Sequence, residues 1–384
     1  MDHLGKALRD AENAGLKRTL RSLTPHSPTR ALYNGREATL FCTNNYLGLT
    51  HHPRVIAKAV EALRAYGAGS GAARLVSGHS PLHQELEKAV ARFKGCARAL
   101  VFPTGYMANI AVISALAGRG DVVFCDRLCH ASLLDGCRLS GAKVLRFRHN
   151  SIASLRRLIT EHRGRRRLLV TEGVFSMDGD TAPLAELYAL ARENDLMLIV
   201  DDAHGTGVLG PEGRGTLAVQ GVAVNDIVLT GTLSKALGSL GGFVAGSNIL
   251  VDFILNSARP FIFTTALPPA SAAAALAALE LLQEEPSIHG RLWENVNRMH
   301  AGLTGCGFSV AKTSPIMPII IGDPVRALSL SERLLSRGYF VPAIRPPSVP
   351  HGTARLRITV SAAHTRAEID GFLTALNEAI KDGI

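Results

Sequence analysis

From about residue 98 onward, short apolar runs alternate with stretches of helical periodicity. "ALVFPTG" leads into "YMANIAVISALAG", and "DVVFCD" leads into "HASLLDGCRLSG". "KVLRFRHN" then precedes "SIASLRRLITEH", "LLVTEGVFS" precedes "LAELYALARENDL", and "MLIVDDAHG" follows. After a glycine-rich turn, "DIVLTGTLSK" and "GGFVAG" predict two further strands. Alternation of this kind predicts an α/β fold with a mainly parallel sheet flanked by helices on both faces. Ligands of such sheets bind beyond the carboxyl ends of the strands. The polar residues that follow each apolar run are therefore the candidates for chemistry.

The pattern changes at "EEPSIHG", residues 284–290. A helical segment, "PIMPIIIGD", a second helix, "YFVPAIRPPSVPHGTARLRITV" and a last helix follow. They predict a smaller α+β C-terminal domain over 284–384, after a large domain over 41–283. Residues 1–40, an N-terminal helical segment, are too few to fold alone and are expected to pack with the small domain.

Composition narrows the choices. With 384 residues, 47% of them hydrophobic, the chain can bury a sizeable core. Its six cysteines are too sparse for a disulfide framework. Cys125, Cys129, His130 and Cys137 cluster, but C-x3-C-H is not a zinc knuckle and no second ligand pair follows, so no metal is expected. Reduced thiols in the cytoplasm are the expected state. The N-terminal stretch lacks a signal peptide's apolar centre. The longest apolar run, "ASAAAALAALELL", is too short and too rich in alanine to cross a bilayer and predicts a buried core helix. The formal charge of +10 raises nucleic acid as a partner, with "HRGRRR" at 162–167 as its one dense basic run. With only 5% aromatic residues to interleave, the run reads instead as a solvated loop leading into a strand, and no nucleic acid is expected. A diffuse positive field equally suits small anionic substrates.

At the strand ends, "PTGYMAN" sets Gly105 and Tyr106 where a strand stops and a helix begins, a turn that suits an anion. "DRLCHASLLDG" places His130 at the next junction, as a helix cap or as a ligand-facing ring. "TEGVFSMDGD" carries Glu172, Ser176 and Asp178, too few carboxylates for a hard-cation site. In "MLIVDDAHGTG", Asp201 ends an apolar strand with His204 three residues on. A buried carboxylate is costly unless it is paired or caps a helix. "TGTLSKALGSLGG" then ends a strand at Lys235 among small residues and hydroxyls. Taken together, these residues are the set that pyridoxal 5′-phosphate requires. A lysine amine forms an imine with its aldehyde, and a carboxylate keeps the pyridine nitrogen protonated. A ring stacks on its face, while amides and the Thr232 hydroxyl take the phosphate. Desolvation lowers the lysine pKa, which frees the amine to act as a base.

In order, "TNNYLGLTHHP", "GSGAARLVSGHSPLHQELE", "TGYMAN", "CHASLLDG", "EGVFSMDGD", "VDDAHGTGVLG", "TGTLSKALG" and "TTALPP" resemble the α-oxoamine synthases. These are fold-type I pyridoxal-phosphate-dependent transferases that join an amino acid to an acyl thioester with loss of CO2. "TNNYLGL", "DDAHGTGVLG" and "AIRPPSVPHGTARLRIT" resemble the branch that uses L-alanine with pimeloyl-CoA or pimeloyl-acyl carrier protein, an acyltransferase step of biotin biosynthesis. Sister activities on glycine or serine share every cofactor residue and remain open. Two departures are Asn45, where aspartate is frequent, and Ser234, where glycine is.

The resemblance implies Lys235 as Schiff-base lysine and general base, Asp201 at the pyridinium, and His204 with Ser176 at the phenolic oxygen. It implies His130 over the ring and Gly105, Tyr106 and Thr232 at the phosphate. Thr264 or Thr265 would arrive from the partner subunit of a homodimer. Arg18 and Asn44 would sit near the acyl substrate, and Arg357 would grip the amino acid's carboxylate, with Arg345 and Ser348 lining the same mouth. Arg357 also has a reading of its own. Arg355 and Arg357 lie two apart on a predicted strand and so share a face, and a guanidinium offers a bidentate fork to a carboxylate.

Overall fold

The apolar runs become the strands of one sheet: β1 (Arg98–Phe102), β2 (Val122–Asp126), β3 (Lys143–Phe147), β4 (Arg167–Glu172), β5 (Met197–Asp201), β6 (Val228–Thr232) and β7 (Gly242–Gly246). In the computed structural model, which describes residues 2–381, their order is β1-β7-β6-β5-β4-β2-β3. Strands β2 to β6 pair in parallel, and β7 runs antiparallel to both β6 and β1. Strands β2, β6 and β7 are buried along their whole length, as a sheet covered on both faces requires. The expected mainly parallel α/β sheet is the one observed.

Local chemistry also sets the helices. They include α1 (Pro53–Tyr66), α2 (Pro81–Lys94), α3 (Gly105–Leu116), α4 (Ala131–Ser140) and α5 (Pro269–Glu284). Pro81 opens α2 behind a Ser80–His83 capping box, and Gly95 ends it in the left-handed region. Thr104 caps α3 by accepting from Met107 N. The alanine-rich run forms α5, buried along its length and packed on α1 and α2. At the start of β7 the backbones come so close that a Cβ on Gly242 would lie 2.5 Å from Gly105 Cα, so only glycine fits there.

Two compact units form. The sheet belongs to the second, Leu49–Ser176 with Asp180–His289; the first comprises the residues up to Gly48, Met177–Gly179 and those from Gly290 on. The sequence pattern put its divisions at 40 and 283. The tripeptide joins the first unit because Gly179 O accepts from the Thr313 and Ser314 hydroxyls and Asp178 pairs with Arg355 at 2.6 Å. Within that unit, Arg36–Leu40 pairs in parallel with Tyr339–Phe340. Strands β8 (Ile316–Gly322) and β9 (Ala354–Thr359) pair antiparallel, with Ala343–Ile344 on the far side of β9. No described helix is long and apolar enough to cross a membrane.

Two polar clusters stiffen the sheet's surroundings. Asp121, fully buried, accepts from Arg165 and Arg166. Burial opposes its charge, yet these bonds hold its carboxyl well below the usual range. The basic run is thus more than the expected solvated loop, since two of its arginines neutralise a buried acid. The second cluster lies under the β5 end. Asp202 Oδ2 accepts from Lys94 Nζ at 2.8 Å, and Asp202 Oδ1 accepts from the Thr216 hydroxyl at 2.6 Å. Lys94 Nζ also donates to Arg214 O at 2.7 Å. A Cβ on Gly215, at φ 111°, would collide with the Asp202 carboxylate. Both charged side chains are 1% exposed, so removing one strands the other in a medium of low dielectric. Lys94→Met is expected to lower stability by about 3–5 kcal/mol, read as a shifted urea midpoint at unchanged slope, with Asp202→Asn in the same chain recovering part of the loss.

Candidate active site

Beyond the carboxyl ends of β4, β5 and β6 lies a cavity of about 150 Å³ lined by Gly105, Tyr106, Asn109, His130, Ser132, Glu172, Asp201, Ala203, His204, Thr232 and Lys235. Each strand delivers its last polar residue to this edge: Glu172 from β4, Asp201 from β5 and Thr232 from β6. Lys235 follows in the turn after β6, and its Nζ lies 2.8 Å from His204 Nε2. The turn is closed by hydroxyls. Thr232 Oγ1 donates to Gly241 O at 2.8 Å and accepts from Ser234 N, while Ser234 Oγ donates to Gly241 O at 3.1 Å. Ser234, the departure from the frequent glycine, therefore braces the lysine turn.

Asp201 does not cap a helix. Its Oδ2 accepts from Asn109 Nδ2 at 2.7 Å and its Oδ1 from Ala203 N at 2.9 Å. Asn109 in turn accepts from the Thr230 hydroxyl at 2.6 Å and donates to Ser132 Oγ at 2.9 Å. These bonds form a buried network of neutral donors around one carboxylate. Such a set fits a ligand that brings its own proton-bearing nitrogen, as a pyridinium does. The opening of α3 fits the other end of that cofactor, because the first amides of a helix have no intrahelical acceptor and favour an anion. Gly105 leaves room there, since a Cβ on it would sit 3.3 Å from Thr232 Cβ.

His130 takes the cap position that the sequence allowed. It caps α4, its Nδ1 lies 2.7 Å from Ser132 Oγ, and it lines the cavity. Tyr106 meets it edge-on, with ring centroids 6.4 Å apart. Ser176 lies four residues beyond the end of β4 and outside this lining. Thr265 bridges to Ala73 on the surface, and Thr264 is half-buried; neither lines the cavity.

The remaining expected residues belong to the first unit. Arg357 is buried on β9, and its Nη2 donates to Asn44 Oδ1 and Tyr46 Oη, each at 3.2 Å. Arg355, its neighbour on the strand, is buried and paired with Asp178. Neither strand arginine is exposed. Arg18 Nη2 donates to Ser348 Oγ at 3.1 Å, and Arg345 donates to Gly15 O. Both line a second cavity, of about 760 Å³, together with Arg21, Leu20 and Phe340. Burial, with the charges of Arg18 and Arg21, pushes the Arg345 pKa down.

Sequence reasoning missed Asn109, Ser132, Thr230 and the role of Glu172. Asn109 had a signal: it stands one helical turn after Gly105, the one amide in the otherwise mostly apolar stretch "MANIAVISAL". Behind the site, His149 bridges two loops. Its Nδ1 lies 3.1 Å from Asp126 Oδ1 and its Nε2 lies 2.8 Å from Asp180 Oδ2. Asp126 ends β2, four residues before His130. Burial opposes charge on His149, but the bonds and charges of Asp126 and Asp180 hold its pKa at about 10. Among the described residues, no group of His, Cys, Asp and Glu could hold a metal.

The aminotransferase class I and II family matches residues 36–376. The 8-amino-7-oxononanoate synthase of Methylococcus capsulatus is 53% identical over 354 residues, 92% of each chain. A Desulforudis audaxviator protein provisionally given the same name is 68% identical over 381 residues, 99% of each. A solved serine palmitoyltransferase from S. paucimobilis, with a PLP–myriocin adduct bound, has TM-score 0.93 at 37% identity and covers 99% of this chain and 97% of its own. The solved 8-amino-7-oxononanoate synthase from Francisella tularensis has TM-score 0.77 at 30% identity, covering 90% of this chain and 98% of its own.

The His149 bridge makes stability depend on pH. Its folded pKa stands above the unfolded value of about 6.5, so the charged bridge contributes fully below that value and is lost as pH rises toward 10. Thermal unfolding of the protein and of His149→Gln across that range should show a gap in Tm that is widest at low pH and narrows steadily above neutrality.

Proposed function

Since the chain belongs to the aminotransferase class I and II family, and within it to the α-oxoamine synthases, we propose that it condenses L-alanine with a pimeloyl thioester to give 8-amino-7-oxononanoate. In this reaction the α-carbon of alanine replaces the thiol at the acyl carbon, and CO2 and the free thiol leave. The observation that carries the reading is the meeting of Lys235, His204, Asp201 and His130 on one cavity, in a chain 53% identical to a named synthase. The thioester is that of coenzyme A or of an acyl carrier protein, in a cytoplasmic homodimer.

Pyridoxal 5′-phosphate is the cofactor; bound here, it supplies an electron sink for the pair left on the α-carbon. Lys235 is its point of attachment, and the lysine Nζ takes the α-proton and returns one after CO2 has gone. His204, within hydrogen-bond reach of that nitrogen, orients it and shares its proton. Asp201, aimed by Asn109 and Ala203, keeps the ring nitrogen protonated. His130 covers the ring face. The Gly105 and Tyr106 amides receive the phosphate together with Thr232, and the partner subunit's Thr265 completes that end. Ser176 and His204 serve the ring hydroxyl. Arg357, braced by Asn44 and Tyr46, holds the alanine carboxylate through its two-pronged fork. Arg18, Asn44, Arg345 and Ser348 hold the acyl chain.

The backbone likeness to serine palmitoyltransferase favours serine and a longer acyl chain as the second reading. Mass spectrometry of products decides between them. Pimeloyl thioester offered with alanine, glycine or serine should give a product with alanine alone; product only from serine with a palmitoyl donor would establish the second reading instead. Lys235→Ala should lower turnover by about 10²–10⁴-fold and abolish the visible absorption of the bound cofactor, and near-parental turnover would refute the role given to it.

A further inference from the structure

We propose that Glu172 is a positioning residue of this site: from the end of β4 it holds the backbone amide of His130 and thereby fixes the imidazole over the cavity. The inference rests on the reading of His130 as the ring that covers the cofactor.

The His130 side chain is exposed in the single chain, so packing alone does not set its orientation. Two bonds do. On the side chain, Nδ1 is tied to Ser132, whose hydroxyl lies 2.7 Å away and accepts from Asn109. On the main chain, His130 N donates to Glu172 Oε1 at 2.6 Å. In a capping box, the third residue of the helix supplies that acceptor. Here the third residue is Leu133, which has none, and a residue of a distant strand takes its place. The bond therefore ties β4 to the junction of β2 and α4, instead of tying the helix to itself.

A buried carboxyl is a costly acceptor for one amide. Glu172 is 2% exposed and lies level with Asp201 on the neighbouring strand, its partner in the parallel register. Asp201 on β5, Asp126 on β2, Lys235 after β6, and Cys129 and His130 before α4 all act on it or feel its charge. Burial first, and then Asp201, raise the Glu172 pKa well above the carboxylate range, against the pull of Lys235 and the His130 amide.

The test uses the cofactor-loaded enzyme and two variants. Glu172→Leu removes the acceptor and is expected to lower kcat by about 10- to 100-fold with a smaller change in KM, and to weaken the visible circular dichroism that the bound cofactor acquires from its fixed surroundings. Glu172→Gln, whose amide oxygen still accepts from His130 N, should recover about tenfold or more of that loss and restore the dichroism. If Glu172→Leu does not fold, Glu172→Met, a longer side chain that also lacks an acceptor, takes its place in the comparison with Glu172→Gln. The proposal is overturned by a Glu172→Leu or Glu172→Met enzyme with parental kcat and dichroism, or by a Glu172→Gln enzyme as impaired as the variant without an acceptor. The dichroism is read without substrate, so this outcome is independent of which amino acid and thioester the enzyme uses.

Discussion

A carboxylate at the buried end of a strand must find its hydrogen bonds elsewhere in the fold, and Asp201 finds them on α3 and in the turn that follows its own strand. The Asn109 amide and the Ala203 N–H satisfy its oxygens without neutralising it. Everything else at the site follows from holding one uncompensated negative charge at that depth. Asn109 is in turn fixed by Thr230 on β6 and by Ser132 on α4, so three elements converge on one side chain. A cationic partner in place of Asn109 would satisfy the charge permanently, and the cavity would lose its preference for a protonated nitrogen.

Much of this was legible in the chain because the relevant residues carry local signals. Lys235, Asp201, His130 and Gly105 each follow an apolar run, and an apolar run that ends in a polar residue reads as a strand reaching a ligand edge. The strand–helix alternation likewise gave the parallel sheet, since buried strands and amphipathic helices have different periods. The residues that brace those groups were not legible. Asn109 meets Asp201 across 92 positions and Lys94 meets Asp202 across 108, and no local pattern encodes a partner so far away. Glu172 was weighed only as part of an acidic loop with too few carboxylates for a cation, and was given no role; its neighbours in space are a histidine amide and a second carboxyl.

Charge was the most misleading of the bulk properties. The dense run "HRGRRR" suggested at most a solvated surface, yet Arg165 and Arg166 neutralise Asp121, a carboxylate with no exposure at all. Arg355 likewise serves Asp178 rather than solvent. The charges of Arg18 and Arg21, by contrast, act on Arg345, which lines the same cavity. Net charge therefore says little about partners until the arginines that balance buried acids are separated from those that line a cavity together.

Asp201 and Asp202 are adjacent in the chain and serve opposite sides of it, one facing the cavity and the other the buried cluster of Lys94, Thr206 and Thr216. That adjacency links the order of folding to the capture of the cofactor. Asp202 can be neutralised only when the end of α2, the turn after β5 and the segment around Gly215 have met, which closes a loop of more than a hundred residues. Loop closure on that scale comes late and at an entropic cost. Until it is complete, the peptide that carries Asp201 has no fixed direction. A nascent or partly folded chain therefore has a lysine but no site, and the cofactor can be retained only by a chain whose long-range assembly is already finished.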